Sequence, residues 1–337
     1  MLDYFKKDAN DEEFYNKNLK GRLPERIIDA HVHMNLPEHV ANVSKETIKN
    51  DWAMECGFIM PYEDANQYYS ILFPDLKVDT VAFPMPLPEA DIRANNGYLE
   101  KLQAQGKLKA LMTVRPEWDA AYCEETLLKG GFSGFKPYPY MASSVKGAEV
   151  SIFDFLPHRQ LAILDKHKKA VLIHLPRKGR LPDDDNIWEI KTIVDRYPNI
   201  KVVIAHYGRC FTHKFLEEGL KKLGEVTNAI YYDTAAVMNP QVHKAAFESL
   251  GTERILFGTD IPILLWHGRR RWTETEYFNL CRENFSWNKH EELDKEAKYT
   301  FFVYEQVKNM LDSLMQAGAS TQDINNIFSL NADKVYK

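Results

Sequence analysis

The chain is poor in cysteine, and its cysteines are not placed to act together. Cys56, Cys123, Cys210 and Cys281 are scattered and form no CxxC pair. That argues against a cysteine zinc site or a disulfide framework and predicts reduced thiols in a cytoplasmic protein. No apolar run is long enough to span a bilayer, and the opening MLDYFKKDANDEEF has no apolar core of a secretion signal, so neither membrane insertion nor secretion is expected. Positive charge is not in excess: 43 Lys+Arg stand against 48 Asp+Glu, a net charge of −5, which argues against a nucleic-acid partner. No GxGxxG follows the first apolar run, which removes the commonest dinucleotide-binding signature. Low-complexity tracts, linkers and short repeats are missing as well.

What remains is a globular composition, 45% hydrophobic and 27% charged, spread over 337 residues. Short apolar runs alternate with longer helical stretches. The runs are 26–33, 78–84, 108–114, 132–138, 170–175, 201–206, 229–234 and 254–260. Several are almost continuous in Val, Ile and Leu, as parallel strands are when both faces are buried. Residues 186–197 set Ile187, Ile190, Ile193 and Val194 on one helical face before Pro198, and Phe155, Leu161 and Leu164 mark a helix over 153–167. The alternation predicts an α/β fold, a (β/α)8 barrel, with an open doubly wound sheet as the alternative. One domain over 1–337 is expected, with an N-terminal helical extension (1–25), an insertion after the first strand (34–77) and C-terminal helices (272–337). The insertion is expected to cover a pocket, to add a helix to the scaffold or to form a contact in a homo-oligomer. In the closing segment Thr321 is the expected cap, ahead of Ile324, Ile327 and Phe328 on one face.

The polar residues at the ends of the runs carry the chemistry. His31 and His33 are two apart on a strand and so point to one side. His174, His206 and Asp260 end VLIH, VVIAH and ILFGTD. In a barrel these ends converge at the C-terminal mouth. Neutral imidazoles and a carboxylate are good ligands for a divalent ion, and a metal lowers the pKa of bound water. His31, His33, His174 and Asp260 can hold one ion, zinc as the first expectation and manganese as the second, while His206 is free for proton transfer. A single histidine at a strand end is more often a structural hydrogen-bonding residue; the set is what points to a metal.

Together DAHVH, VLIHLPRKG, VVIAHYGR, ILFGTDIP and the closing IFSLNADKVY resemble the amidohydrolase superfamily over roughly residues 26–337. They look most like its amidohydrolase-related branch, which includes aminocarboxymuconate-semialdehyde decarboxylase-like enzymes and several lactonases. The resemblance implies a metal site at His31, His33, His174 and Asp260, with Asp260 and His206 moving protons. Binuclear members carry a carboxylated lysine where Lys136 stands, and a plain ammonium there implies one ion. The resemblance implies a metal-dependent hydrolase of a lactone, ester or amide, or else a decarboxylase or hydratase of a carboxylated substrate. A barrel that kept the fold and lost catalysis is the reading from another class.

Arginines after the ligand runs suit a small anionic substrate. Arg177 and Arg209, with Lys136 and Tyr138, are the expected substrate contacts, and Lys178, Arg270 and Arg271 are expected to be solvated loop charge. Tyr140, Trp266 and His267 are further candidates for the pocket wall.

Overall fold

The computed structural model describes residues 1–142 and 149–337. Each of the apolar runs becomes a strand: β1 (Arg26–His33), β2 (Lys77–Phe83), β3 (Lys109–Thr113), β4 (Gly134–Lys136), β5 (Ala170–Ile173), β6 (Lys201–Ile204), β7 (Tyr231–Asp233) and β8 (Ile255–Leu256). They pair in chain order, every pair parallel, in one eight-stranded sheet. The sheet closes on itself. Ala30 N–H donates to the Phe257 carbonyl at 2.9 Å, and Asp260 N–H to the His31 carbonyl at 3.0 Å. Helices lie between successive strands, so the architecture is the (β/α)8 barrel. The helix Asp184–Arg196 buries Ile187, Ile190 and Ile193 as the spacing predicts, and Asp183 caps it.

Ile28, Val81, Leu111, Leu172, Val203 and Leu256, on six strands, form one apolar cluster, joined by Ala332 and Val335 of the last helix (Asn331–Val335) and by Tyr336 just after it. Arg26 bonds both Asp79 and Asp333 at 2.6 Å, which ties that helix to the start of β1. β4 and β5 approach closely at Gly134, where a side-chain carbon would sit 1.9 Å from the Ala170 carbonyl oxygen.

Three expectations need correction. The C-terminal extension does not begin as helix: Gly268–Trp272 (β9) and Tyr277–Cys281 (β10) form an antiparallel hairpin, and helices resume only at Leu293–Glu296 and Phe302–Gln316. GRRRW alternates on a strand period, which places Arg269 and Arg271 on one face and Arg270 on the other. Residues 153–167 form two helices, Ile152–Phe155 and His158–Lys166, because Pro157, which has no N–H to continue the first, stands in extended backbone as the cap of the second. The cap of the Thr321–Asn325 helix is Ser320, whose hydroxyl accepts from Asp323 N–H while Asp323 reaches back to Ser320 N–H.

The N-terminal extension is helical at Ala9–Asn18. The insertion holds the helices Lys45–Asn50, Trp52–Cys56 and Tyr62–Leu72. All four cysteines are free and buried. Among the described residues no helix is long and apolar enough to cross a membrane.

Candidate metal centre and active site

His31 and His33 lie within β1, but on β6 and β8 strand pairing stops short of the polar residues. β6 ends at Ile204 and β8 at Leu256, and the chain then turns into left-handed backbone at His206 (φ 56°), Arg209 (φ 63°) and Asp260 (φ 72°). Such angles are uncommon outside glycine and persist only where the surroundings impose them. Here they turn side chains from separate strands toward one point at the barrel mouth.

Nitrogen and oxygen atoms of His31, His206 and Asp260 lie within 4.8 Å of one another. His31 Nε2 is 3.4 Å and His33 Nε2 3.2 Å from Asp260 Oδ1. The His206 ring lies 4.7 Å from that of His31 and 5.2 Å from that of His174. His31, His33, His174, His206 and Asp260 therefore share one cavity, with His206 in the tightest group and His174 beside it.

Hydrogen bonds fix the rings. His31 Nδ1 faces Asp233 Oδ2 at 2.8 Å, so His31 donates there and turns Nε2 to Asp260. His206 Nδ1 donates to the Ala235 carbonyl at 2.8 Å, leaving Nε2 with its lone pair. The other oxygen of Asp233 accepts from His206 N–H at 2.7 Å. Beneath them Asp29 accepts from Tyr69 Oη at 2.7 Å and Thr259 N–H at 3.0 Å, joining the insertion to β1 and the β8 end.

Burial lowers the pKa of His31, lowers that of His206 to about 4 and holds His174 well below its ordinary value. All three are favoured as neutral imidazoles, the form that ligates a metal. Burial works to raise the pKa of the Asp260 carboxyl and positive charge on the neighbouring histidines, His31 first, works to lower it; the lowering is the larger. Nδ1 of His33 and of His174 are buried without a partner among the described residues. A neutral-imidazole and carboxylate set with unused nitrogens suits a divalent ion.

The cavity above has a volume of about 190 Å³. The insertion covers it with Asp51, Trp52, Ala53 and Met54. Tyr138, Tyr140 and Arg209 line it. Lys136 is buried beside it, its Nζ without a partner among the described residues and 5.1 and 5.5 Å from the Phe83 and Tyr138 ring centres. Burial lowers its pKa to about 8, against the pull of Asp233 and Asp260.

Arg177 is not in the cavity. Its guanidinium grips Glu189 at 2.8 and 2.9 Å and Asn186 at 2.7 Å, which locks the loop after β5 to the following helix. Trp266 packs on Trp287 and Phe302, and His267 sits between Asp11 and Glu283, so neither forms the wall. Arg270 is not solvated loop charge. It is 5% exposed and lines the cavity. Sequence reasoning also passed over Asp233, although YYDT places it at the end of a recognised strand like the other site residues.

A parallel barrel with imidazoles and a carboxylate gathered at its C-terminal mouth defines a metal-dependent barrel enzyme. The amidohydrolase family model matches residues 28–337, and the chain belongs to that family, in its amidohydrolase-related branch. No curated protein matches this chain in sequence. Among solved structures it is similar to 2,6-dihydroxybenzoate decarboxylase from Rhizobium (13% identity, 93% of this chain and 99% of that one, TM-score 0.53). It is similar also to 5-carboxyvanillate decarboxylase from Novosphingobium aromaticivorans, seen with manganese and 3-methoxy-4-hydroxy-5-nitrobenzoic acid (11% identity, 95% and 99%, TM-score 0.57). A third, described as amidohydrolase II, shares 17% identity over 92% and 99% with a TM-score of 0.54. At these identities the likeness is one of fold.

Proposed function

We propose that this protein is a metal-dependent carboxy-lyase acting on a small unsaturated or aromatic carboxylic acid. The observation that carries the reading is one small cavity in which the His–Asp cluster faces the cations Arg209 and Arg270. The bound small acid and the decarboxylase activities of similar structures support it.

His31, His33, His174 and Asp260 would hold one ion, zinc or manganese. Bound there, the ion would act as a Lewis acid on a substrate oxygen and lower the pKa of water. The chain's own groups do the rest. Tyr138 and the insertion enclose the substrate and exclude water. Lys136, buried beside the cluster, sets a positive field for its carboxylate. As carbon dioxide leaves, the electron pair of the broken C–C bond stays on the substrate carbon, which takes a proton through His206 Nε2. Burial makes a protonated His206 a ready donor.

Hydrolysis of a lactone, ester or amide is the second reading, because the same His206 and Asp260 can take a proton from water. Incubation of the metal-loaded protein in ¹⁸O-water with carboxylates, lactones and amides tests both. Carbon dioxide release without ¹⁸O in the organic product is expected. Heavy oxygen in an acid or alcohol product would assign hydrolysis. A metal-loaded protein inert on the whole panel would assign a binding barrel.

A further inference from the structure

The arginines of the mouth divide into two groups. Arg177 is paired with Glu189, and Arg269 and Arg271 both reach Glu291. Their near neighbours Arg180, Arg209 and Arg270 reach no carboxylate among the described residues, and they sit around the same two rings, Phe211 and Tyr277, or beside them in the chain. The Arg270 guanidinium lies 4.8 Å from the Phe211 ring centre and 4.5 Å from that of Tyr277. Arg180 lies 5.8 and 6.0 Å from the same rings, with Nη1 buried and without a partner among the described residues. Arg209, two residues before Phe211, spends Nη1 on the carbonyls of Leu175 and Arg177 at 3.2 and 2.9 Å.

A guanidinium does not deprotonate in a protein, and a buried cation without a counter-ion is costly. Arg270 meets only neutral partners: Asn279 Oδ1 at 2.7 Å, the Ala236 carbonyl and aromatic faces. Two carboxylates line the cavity: Asp260 is held against His31 and His33, and Asp51 accepts from Ala53 N–H at 3.0 Å, and among the described residues neither forms an ion pair with Arg209 or Arg270. Among the described residues the fold thus leaves without a carboxylate the two arginines that line the cavity, Arg209 and Arg270, and with them Arg180, which shares their aromatic neighbours outside it. A ligand that carries negative charge would supply their counter-ion.

We propose that Arg209 and Arg270 form a second oxyanion subsite, so that the substrate carries two anionic groups, one at the metal end and one held by these arginines. The planar guanidinium fork matches a carboxylate or a phosphate. Trp52, Met85, Leu87 and Phe211 supply apolar wall for the body between the two groups. A volume near 190 Å³ suits one substituted ring or a short unsaturated chain. The subsite retains the anion that is not removed, and the β9–β10 hairpin, which carries Arg270 and Tyr277, sets specificity from outside the barrel sheet. The role of the metal-end group rests on the proposed function; the arginine subsite rests on the ion-pair pattern.

Calorimetric titration of the metal-loaded protein with benzoate, isophthalate and 3-phosphonobenzoate tests it. One of the two larger probes should bind at least about tenfold more tightly than benzoate, the worth of a charge-assisted hydrogen bond. The tighter of them identifies the retained group as carboxylate or phosphate. Arg270→Gln should erase the preference while benzoate affinity and metal content stay within about threefold of wild type. Arg209→Gln should do the same and carries the test if the buried Arg270 variant fails to fold by thermal melting. Equal wild-type affinities for all three probes would overturn the subsite, as would variants that weaken benzoate as much as the larger acids. A clear preference in a protein that releases no carbon dioxide from any carboxylate leaves the subsite standing and removes only the carboxy-lyase reading.

Discussion

Asp233 shows how one carboxylate can organise a site without facing the substrate. One oxygen holds the His31 ring and the other the backbone N–H of His206, where the chain takes its left-handed turn. Asp233→Asn should lower metal affinity about 10- to 100-fold with the fold intact, measured by metal titration beside circular dichroism. His206→Ala separates the two roles open to that residue. It should retain the ion and lose turnover about 100-fold or more, and loss of the ion instead would make His206 a ligand. Lys136→Ala should leave the primary ion bound, because an ammonium cannot bridge two cations. Two ions per chain, one of them lost in this variant, would establish a binuclear centre with carboxylated Lys136 and overturn the single-ion proposal.

At the scale of elements, the β9–β10 hairpin and the closing helix each turn on a strand or cap detail. Alternation sends Arg269 and Arg271 to Glu291 and Arg270 into the cavity, although the three are consecutive. Arg271 is mostly exposed, and Arg271→Ala should change stability by no more than about 0.5 kcal/mol in urea unfolding. Ser320→Ala removes the hydroxyl that caps the last helical segment and should cost about 1 kcal/mol, whereas Thr321→Ala should be near neutral. That segment then opens into a widened π turn, Asn326–Leu330, and the Ile327 carbonyl accepts from Phe257 N–H at 2.9 Å, just past β8. A cap lost at Ser320 therefore loosens a contact with the strand that leads to Asp260.

Across the whole molecule, His267 joins parts far apart in the chain: the N-terminal helix through Asp11, at 3.0 Å, and the segment after the hairpin through Glu283, at 2.7 Å. Burial disfavours its charged form, but bonds to both carboxylates more than offset this and raise its pKa. A raised folded pKa means a contribution to stability that is complete below the unfolded value of about 6.5 and lost as the pH rises through the folded value. Asp11 has a lowered pKa, against the burial that would raise it, and its contribution is lost at the acid end. His267→Gln should therefore remove the part of the stability loss that wild type shows as the pH rises above about 6.5, read from urea midpoints across pH. An unchanged profile would mean that His267 is not charged in the fold.

The barrel was legible because a parallel strand buried on both faces is written locally as a short Val, Ile and Leu run, and eight such runs can be counted without knowing how they pair. His31, His33, His174, His206 and Asp260 were legible for a related reason: each interrupts or ends an apolar run, and the barrel topology sends every such end to the same mouth. The hairpin was not, because GRRRW and YFNLC have neither a sustained apolar alternation nor a strong turn signal; their pairing is made by partners elsewhere, as when Gly268 N–H bonds the Thr300 carbonyl. Charge is likewise silent about direction. Arg177 and Arg270 look alike in sequence, and only the folded chain gives one a carboxylate, Glu189, and leaves the other buried among rings at the cavity wall. Strand periodicity is a property of neighbouring residues and can be read from them, whereas a counter-ion is supplied by whichever distant residue the fold brings close, so the strands and the polar residues at their ends belonged to the sequence, and the ion pairs and the burial of Arg270 at the cavity wall to the tertiary structure alone.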